Sequence, residues 1–568
     1  MRLGVRLGLA LGVSTGVIAS CSHHDDSAPP PSSVLPGSGG THGGVAGRGS
    51  GGTKGTAAGE SGEGGATAGS SAGTKHPGHS GGSSGTGNGE AGAPETAGGG
   101  GIPYSGDMGS GGTSNGGAPG PGDGAGHIFV GPGGYDGAIG SRDAPLLTLA
   151  GAVRVAEQGD TIVFLDGSYP IPAGSDAVTI PDGVGVAADN PRFAAFYGDG
   201  GTLLELAGDS HIDGLRFDGF ETAISASASR GSVSVTGVTF TNCPSASGKS
   251  VLEVGGGASV TLTDDVTHDL GDCPALGHVY GDGKLAVDGE LLHFTGNGES
   301  GMFVTEDAAE LDLSNLIATD GNLPLLVLGG NSTSTLATST VQTLATHVVE
   351  LHGNASLAVT SSALSLDPSV PNPDACIQTT DGAATALALE HAVLHDCEGA
   401  LVGPSPKTLT VDDTEIYAMT ASGLDLTGGA TSSVTITASL FHDEATRAVR
   451  FGSSGAGSFD VSVSGTQIYS VASGFELDAD ASSTWDFGTK AAPGANVLTA
   501  TTTALDVQSD AITFVAAVGN TWTPSVQGAD ENGQYAPASS PGVLEVTSGS
   551  GQNYGDGAGA TIRLADTN

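Results

Sequence analysis

The sequence predicts an all-β fold, a right-handed parallel β-helix, and three observations support this prediction. Short segments that alternate polar and aliphatic residues recur through most of the chain after residue 231. Their spacing stays close to about 25 residues, with Gly, Asn and Asp between them. No helical period recurs within the repeat. A unit of this size cannot bury its apolar face alone, so neighbouring units must stack into a solenoid.

The second aliphatic or aromatic residue of each segment serves as the marker of the repeat. Successive markers are 22 to 30 residues apart. The markers are Val235, Leu262, Val287, Leu313, Leu336, Val359, Leu389, Val411, Ile436, Val463, Phe487 and Phe514. Most repeats carry a second apolar residue five positions later and a third apolar stretch near their end, as at 423–426. Three short strands per repeat favour a β-helix over a leucine-rich repeat or a propeller, whose blades need four antiparallel strands in about 40 residues or more.

The charge balance excludes one class of partner. The chain has 568 residues, with 17 Lys and Arg against 61 Asp and Glu, which gives a formal net charge of −44. Nucleic-acid binding needs a basic surface that neutralises phosphates, and nothing of that kind is present. Only 14% of residues are charged, so the acidity reflects scarce basic residues rather than a glutamate-rich tail.

The first 20 residues have the features of an export signal. Arg2 and Arg6 precede an apolar core at 7–18, which is too short to span a bilayer. The segment ends in Ile-Ala-Ser before Cys21, which resembles the bacterial lipobox and implies lipidation of Cys21. An ordinary cleavage site next to a chance cysteine is the alternative. Ser22 after the cysteine favours the outer membrane or the cell surface, by resemblance to enterobacterial sorting.

Residues 21–126 are predicted to form a tether. They consist mainly of Gly, Ser, Thr, Ala and Pro, with too few apolar side chains to offset the entropy of ordering. A flexible coil of this length has a root-mean-square span of roughly 50 to 60 Å. We therefore expect a membrane anchor, a disordered tether and one β-helix domain at 127–568.

Both ends of a solenoid expose strand edges, and the sequence supplies elements to cover them. Residues 127–165 are predicted to form the N-terminal cap, with a short helix that starts near Pro145 and stops at Gly159, followed by a strand at 161–165. Apolar residues at Leu149, Val153 and Ala156 have helical spacing. Residues 515–568 are assigned to the C-terminal closing segment.

The cap also carries a resemblance. The segments concerned are His127–Val130, Gly133–Gly137, Ala144–Leu149, Ala152–Val153 and Ala156–Tyr169. They are similar to the opening of uncharacterised bacterial proteins of the pectate-lyase-like β-helix superfamily, which are grouped as a domain of unknown function. Residues 519–535 resemble the terminal segment of the same group. The resemblance implies a fold but no activity, because one fold hosts many functions.

Pectate lyases place acidic calcium ligands and a basic proton acceptor on one lateral face, but the motifs of that family are absent here. There is no Trp-Ile-Asp-His stretch, and the Asn-Thr-Asp, Gly-His-Gly and Arg-Ile-Lys signatures of polygalacturonases are missing. Gly277-His278-Val279 comes nearest and departs at its third residue. No catalytic residue is assigned.

Two acidic pairs and one mixed cluster are the candidates for acid–base chemistry. Asp264-Asp265 and Asp412-Asp413 are adjacent carboxylates, and we interpret each pair as one outward strand residue and one turn residue, because neighbours in a strand point to opposite faces. Arg447 and Arg450 follow His442-Asp443, and we interpret this cluster as an exposed charged turn.

A column of outward residues six positions after the marker is the candidate ligand site. Its members are Thr241, His268, His293, Thr319, Gln342, Ser365, His395, Tyr417, His442 and Tyr469. In four consecutive coils it holds His395, Tyr417, His442 and Tyr469, with a predicted rise of about 4.8 Å per coil. These rings either stack on sugar faces in a ligand groove or form a ladder that only stabilises the stack. A metal role is disfavoured because adjacent coils do not by themselves create a closed ligand set.

No cofactor is identified, and calcium stays an open alternative that no motif supports. Tyr-Gly-Asp-Gly occurs at 197–200, 280–283 and 554–557, where Asp-Gly is explained as a turn. The nonapeptide calcium repeat is absent.

Four cysteines remain after Cys21, and an exported protein can oxidise them. They are Cys243, Cys273, Cys376 and Cys397. Pairing of Cys376 with Cys397 would join neighbouring coils, as would pairing of Cys243 with Cys273. Four cysteines allow three connectivities, and buried free thiols are the alternative.

Taken together, these features favour an envelope lipoprotein whose β-helix binds an extended ligand, a polysaccharide, without clear catalysis. A polysaccharide lyase or glycoside hydrolase is the first alternative, and a structural or adhesive protein-binding surface protein is the second.

Overall fold

The computed structural model describes 126–227, 230–244, 249–264, 267–271, 275–289, 292–293, 301–371, 373–380, 386–428, 431–453, 457–478, 482–489, 491–507, 512, 514–517, 520–523, 536–537, 543–547 and 561–565. The predicted signal segment 1–20, Cys21, the tether up to residue 125, Asp265, Cys273 and the third Tyr-Gly-Asp-Gly lie outside the described residues. Within the described part, no helix has the length and apolar character needed to cross a membrane.

The described residues form one short helix and many short strands, named here in chain order. The first elements are β1 His127–Val130, α1 Leu149–Val153, β2 Thr161–Phe164, β3 Gly167–Pro170, β4 Val178–Ile180, β5 Gly185–Ala188, β6 Ala194–Tyr197, β7 Thr202–Leu206, β8 Ser210–Asp213, β9 Arg216–Asp218, β10 Thr222–Ala226, β11 Ser232–Thr236, β12 Thr239–Cys243, β13 Ser250–Val254, β14 Ser259–Thr263 and β15 Thr267–Gly271.

The middle elements are β16 Ala275–Val279, β17 Lys284–Asp288, β18 Leu292–His293, β19 Phe303–Thr305, β20 Glu310–Ser314, β21 Ile317–Gly321, β22 Leu326–Leu328, β23 Thr333–Ala337, β24 Thr340–Thr343, β25 Val349–Leu351, β26 Ser356–Thr360, β27 Ala363–Leu366, β28 Ala375–Thr379, β29 Ala386–Glu390, β30 Val393–His395 and β31 Gly399–Pro404.

The last elements are β32 Thr408–Asp412, β33 Glu415–Tyr417, β34 Ser422–Gly428, β35 Ser432–Thr437, β36 Leu440–His442, β37 Arg447–Ser453, β38 Phe459–Ser464, β39 Gln467–Asp478, β40 Thr484–Asp486, β41 Val497–Val507, β42 Phe514–Val515, β43 Thr521–Thr523, β44 Ala536–Pro537, β45 Val543–Thr547 and β46 Thr561–Ala565.

These strands stack into three lateral faces, and all pairing within the faces is parallel. Face A is a 15-stranded sheet in the order β1-β2-β5-β8-β11-β14-β17-β20-β23-β26-β29-β32-β35-β38-β40. Face B begins as β3-β6-β9-β12-β15 and continues through β18, β21, β24, β27, β30, β33 and β36. Face C runs from β4 and β7 through every third strand to β37. The long strands β39 and β41 belong to faces B and C together. The predicted parallel β-helix is therefore confirmed.

The register confirms most of the marker series. Val235 pairs with Leu262, and the pairing continues without a slip through Val287, Leu313, Leu336, Val359, Leu389, Val411, Ile436 and Val463. All of these side chains are buried. The coil interior is filled by such columns, which keep one apolar residue above another from coil to coil.

The last marker was wrong. Phe487 N–H donates to Ala516 O at 2.7 Å, and Asp486 forms a parallel bridge with Ala516. The residue that follows in this register is Ala517, which is fully buried, whereas Phe514 pairs with Arg563 in a separate sheet of β42, β46, β45 and β44. The final coil is three residues longer than the spacing suggested.

A residue with positive φ turns the chain between faces A and B in coil after coil. Examples are Gly237 at +60°, Asp264 at +59°, Asn315 at +55° and Asp413 at +45°. Gly, Asn and Asp adopt this left-handed conformation at the lowest cost, which explains their frequency between the repeats. A buried hydroxyl often follows, as at Ser339, which donates to Ala337 O at 2.8 Å and accepts from Leu316 N at 3.1 Å.

The N-terminal cap contains the predicted helix, but α1 starts at Leu149 instead of near Pro145. Leu146 bridges to Val130, so this stretch is extended, and the Asp136 carboxylate accepts hydrogen bonds from the Leu147 and Thr148 amides at 3.0 and 2.8 Å. Thr148 then caps the helix by accepting from Gly151 N at 2.9 Å.

Cys376 and Cys397 form a disulfide that ties β28 to the turn in the next coil, with Cα atoms 5.5 Å apart. Cys243 is also disulfide-bonded.

We expect the Cys376→Ala/Cys397→Ala variant to be less stable by about 3 kcal/mol, because the bond closes a loop with a sequence separation of 21 residues. Urea unfolding of the oxidised protein and the variant, side by side, measures this difference. An unchanged midpoint would show that strand stacking alone fixes this corner.

Candidate binding face

The exposed apolar side chains mark face B among the three faces. In the described part of the chain, nine large apolar side chains are well exposed. Four of them lie on face B: Tyr197, Ile317, Tyr469 and Val497. Four belong to the N-terminal cap, and Phe193 precedes β6. None of the nine lies on the outward side of face A or face C, and on face B only Tyr469 and Val497 lie on neighbouring coils. The last coils of face B are therefore the part of the lateral surface best suited to an amphipathic ligand.

Two columns of outward positions run along face B in its last coils, and only Ser365 among the residues of the first column named below is buried. One is the ring column, in which register pairs Gln342, Ser365, His395, Tyr417, His442, Tyr469 and Thr499 in succession. The other is the companion column, which consists of Ala363, Val393, Glu415, Leu440, Gln467 and Val497. The face therefore presents polar ring edges beside a column in which aliphatic side chains alternate with Glu415 and Gln467.

The structure brings the four predicted ring residues into one continuous stack. The ring centroids of His395 and Tyr417 are 5.0 Å apart with planes within 9°. Tyr417 and His442 are 5.1 Å apart within 5°, and His442 and Tyr469 are 4.9 Å apart within 13°. These near-parallel rings repeat with the coil, which is the arrangement of a side-chain ladder.

The same geometry determines which parts of the rings a ligand can reach. Tyr417 and His442 each have a ring above and a ring below, so both of their faces are covered. A sugar cannot stack on these two faces. What remains open is the row of ring edges with their polar atoms, so contact with a ligand along the column must occur by hydrogen bonding.

Carboxylates hold both imidazoles in place. His442 Nδ1 lies 2.8 Å from Asp443 Oδ2, and its Nε2 lies 3.0 Å from Glu415 Oε1. His395 Nδ1 lies 2.6 Å from Asp396 Oδ2. These contacts use three of the four imidazole nitrogens and fix the ring planes. The column thus carries a carboxylate beside each histidine.

The Tyr417 hydroxyl is a stable donor in this setting. Partial burial and the negative charges of Asp396 and Glu415 raise the pKa of Tyr417 above its ordinary value. An already weak acid becomes weaker, so the hydroxyl keeps its proton at neutral pH and can donate to a ligand oxygen.

The N-terminal part of the predicted column contains one error. Register pairs Thr241 with Asp269, and it pairs His268 with the inward residue Phe240. The position predicted by counting from the marker is one residue out in this coil, and a shift of one residue exchanges the two sides of a strand. The backbone of His293 pairs with Thr319 as predicted. Tyr197, which belongs to the same column through Asp218, was missed because its coil precedes the marker series.

A charged network on face C was also missed. The Arg450 guanidinium binds Asp425 at 3.2 Å and Glu476 at 3.1 Å, and Arg447 binds Glu476 at 2.6 Å. Asp425, Arg450 and Glu476 are register partners in successive coils. The signal was present in the sequence, because each of these polar residues stands between two buried apolar residues of its strand. The exposed charged turn predicted around Arg447 and Arg450 is instead a paired, half-buried network.

Glu444 is a buried acid in the turn between β36 and β37. Its burial could not be predicted from the sequence, because inward and outward residues alternate only within strands. It is 3% exposed, and both carboxyl oxygens are without a hydrogen-bond partner. Oε1 packs against Gly423 beside Phe441, where a side chain at residue 423 would collide with it. Burial raises the pKa of Glu444 well above its ordinary value, and the nearby Gly423 N–H offsets this only in part because it lacks hydrogen-bond geometry.

The paired carboxylates are divided as predicted for residues 412 and 413. Asp412 ends β32 on the outward side and accepts a hydrogen bond from Thr437. Asp413 occupies the turn and lies 3.4 Å from His391 Nε2. Across the described residues, no group of three or more His, Cys, Asp and Glu side chains is arranged to hold a metal ion.

Comparisons with known proteins concern the fold. No family model matches the chain, and no curated protein matches it. A pectate lyase Pel9A structure is 14% identical, with 63% of this chain and 80% of that chain covered and a TM-score of 0.25. A mannuronic acid specific polysaccharide family 6 lyase from human gut microbiota is 10% identical, with 64% of this chain and 82% of that chain covered and a TM-score of 0.31. A rhamnogalacturonan lyase is 13% identical, covering 56% and 82%, with a TM-score of 0.23. At these values the fold assignment rests on the strand pairing of this chain.

We expect Tyr417→Ala to lower the free energy of unfolding by about 1–3 kcal/mol, because it removes two ring stacks worth roughly 0.5–1.5 kcal/mol each. Tyr417→Phe keeps the ring and should cost clearly less. Urea unfolding of both variants separates stacking from the hydroxyl, and equal losses would mean that stacking contributes nothing.

Glu444 should make stability depend on pH. Its folded-state pKa lies above the ordinary value of 4.5, so between these two pKa values the folded state holds a proton that the unfolded state has lost. Stability should therefore fall as the pH rises above about 4.5, by about 1.4 kcal/mol per pH unit, until the folded pKa is reached.

The variant Glu444→Gln cannot ionise and should remove this dependence. Calorimetry at pH 4 and pH 8 should show a melting temperature raised at pH 8, relative to the parent protein, and little gain at pH 4. An equal shift at both pH values would contradict a buried, protonated Glu444.

Proposed function

We propose that this protein is an envelope lipoprotein that binds a polysaccharide along face B, without cleaving it. One observation carries the proposal: face B of the last coils combines an ordered row of polar ring edges with the half-buried Val393 and Leu440 and the exposed Val497. Tyr469 is 39% exposed and Val497 is 42% exposed on adjacent coils of this face. Elsewhere in the described solenoid, the outward sides of faces A and C expose no large apolar side chain.

Such a surface matches the chemistry of a glycan. A sugar ring has hydroxyls around its edge and apolar C–H groups on its faces. Tyrosine hydroxyls of the ring column and the carboxylates that contact its imidazoles meet the hydroxyls, and Val393, Leu440 and Val497 on the companion column offer contact to the C–H groups. Since both columns repeat with each coil, the surface favours an extended chain laid along the solenoid axis.

The N-terminal sequence supports the cellular location given in this proposal. A lipidated Cys21 would hold the chain at a membrane, and several acyl chains would make the attachment stable where one is marginal. The low-complexity segment 21–126 would then let the β-helix sample ligands at a distance from the bilayer.

Cleavage receives less support than binding. Glu444 has the raised pKa of a general acid, but it is 3% exposed and so is shielded from a glycan on the surface. Arg447 and Arg450 are engaged with Asp425 and Glu476 and are not placed as free bases. A lyase or hydrolase activity is therefore an outcome that the test must be able to reveal.

Affinity electrophoresis of the full chain through gels cast with neutral and anionic polysaccharides tests the proposal. We expect at least one polymer to retard the protein, and Tyr417→Phe/Tyr469→Phe to lose about tenfold in affinity. This variant removes two donor hydroxyls but keeps the ring stack, so it separates binding from folding.

Tyr135→Phe is the matched control, since Tyr135 is a highly exposed tyrosine of the N-terminal cap. Polymer staining after the run detects cleared zones, which would establish an enzyme instead. Unchanged migration in every gel, without clearing, would refute glycan binding and leave a structural or protein-binding role.

A further inference from the structure

We infer that the ligand of face B is an uncharged, hydroxyl-rich polysaccharide, and that polyuronates are excluded by charge. The inference rests on the proposed function and specifies its substrate class. It follows from two observations. Three carboxylates contact the two imidazoles of the ring column, so this group is negative in every protonation state of the histidines, and the two arginines that follow in the chain are already paired.

The ring column is surrounded by carboxylates. Asp396, Glu415 and Asp443 lie within 2.6 to 3.0 Å of imidazole nitrogens, on the same outward surface as the Tyr417 and Tyr469 rings. Asp443 and Asp396 keep 60% and 42% of their side-chain surface exposed. Their remaining lone pairs therefore face solvent and any ligand along the column.

The nearest arginines do not offset this charge. Arg447 and Arg450 lie on β37, the face C strand that directly follows the turn after His442. Arg447 is bound to Glu476, and Arg450 bridges Glu476 and Asp425. Two cations and two carboxylates form a network without excess positive charge, so neither guanidinium is left to receive a uronate carboxylate.

The hydrogen-bonding pattern agrees with this electrostatic pattern. An ionised carboxylate only accepts hydrogen bonds, and those accepted from hydroxyls are strong because the acceptor is charged. Neutral sugars bring several hydroxyl donors per residue and satisfy Asp396, Glu415 and Asp443. Each residue of an ionised polyuronate also carries hydroxyls, but it adds one carboxylate that can only accept hydrogen bonds and that meets like charge in a protein whose net charge is −44.

A matched pair of polymers isolates the charge. The pair consists of polygalacturonic acid without ester groups, called the free acid here and ionised at neutral pH, and its full methyl ester, which is uncharged. The two polymers share one backbone and differ only in the ester groups and the charge. Neutral β-glucan and galactomannan extend the neutral set. The full chain is run in affinity gels containing each polymer, at low salt and at about 1 M salt, where the screening length falls to about 3 Å.

We expect one or more neutral polymers to retard the protein at least tenfold more strongly than the free acid at low salt, with the gap narrowing at high salt. The charge-removing variant Asp396→Asn/Glu415→Gln/Asp443→Asn should gain affinity for the free acid. Its control, Asp288→Asn/Asp312→Asn/Glu390→Gln, removes three carboxylates from face A and should not.

Two results would overturn the inference: retardation by the free acid as strong as by the neutral polymers, or equal behaviour of the face B and face A triple variants. Absence of retardation in every gel is a different result, because it refutes the proposed glycan binding itself.

Discussion

Parallel pairing in constant register is the constraint on which the rest of this molecule depends. From Val235 to Val463 each face A strand lies on the preceding one without a slip, so a position in one coil has its equivalent directly above it in the next. Residues about 25 positions apart in sequence thereby become neighbours at the strand spacing of about 4.8 Å. Every column in the structure, apolar or polar, is a consequence of this stacking.

The constraint turns short local patterns into extended surfaces. One His or Tyr per coil becomes a stack of four rings, and one polar residue between two apolar residues becomes the Asp425–Arg450–Glu476 network. The three faces acquire different chemistry in this way, although each coil has only a few outward positions. Face B alone among them combines aromatic edges with exposed aliphatic side chains in its described strands.

The repeat length and the alternation of inward and outward residues were sufficient to predict the fold and the ring column. Stacking places residues at the same distance from the marker directly above one another in successive coils. They were insufficient wherever a turn changes length. Phe514 was misplaced because the final coil has three extra residues, and His268 because its strand is shifted by one. Glu444 was invisible for a related reason: in a turn, sequence position no longer indicates burial. The covered faces of Tyr417 and His442 needed coordinates, since ring orientation depends on the carboxylates that hold the imidazoles.

A ladder and a binding site are compatible roles for the same rings. A free tyrosine or histidine side chain loses rotamer entropy when a ligand immobilises it, and that loss opposes binding. In the ring column this entropy has already been lost on folding, because Tyr417 is held between two imidazoles and His442 is also held by Glu415 and Asp443. Stacking of the rings on one another thus prevents a ligand from contacting the covered ring faces, but it leaves the polar ring edges rigid and evenly spaced. A polymer that repeats its hydroxyls along an extended chain gains most from such a surface, since each further coil adds contacts without a new ordering cost.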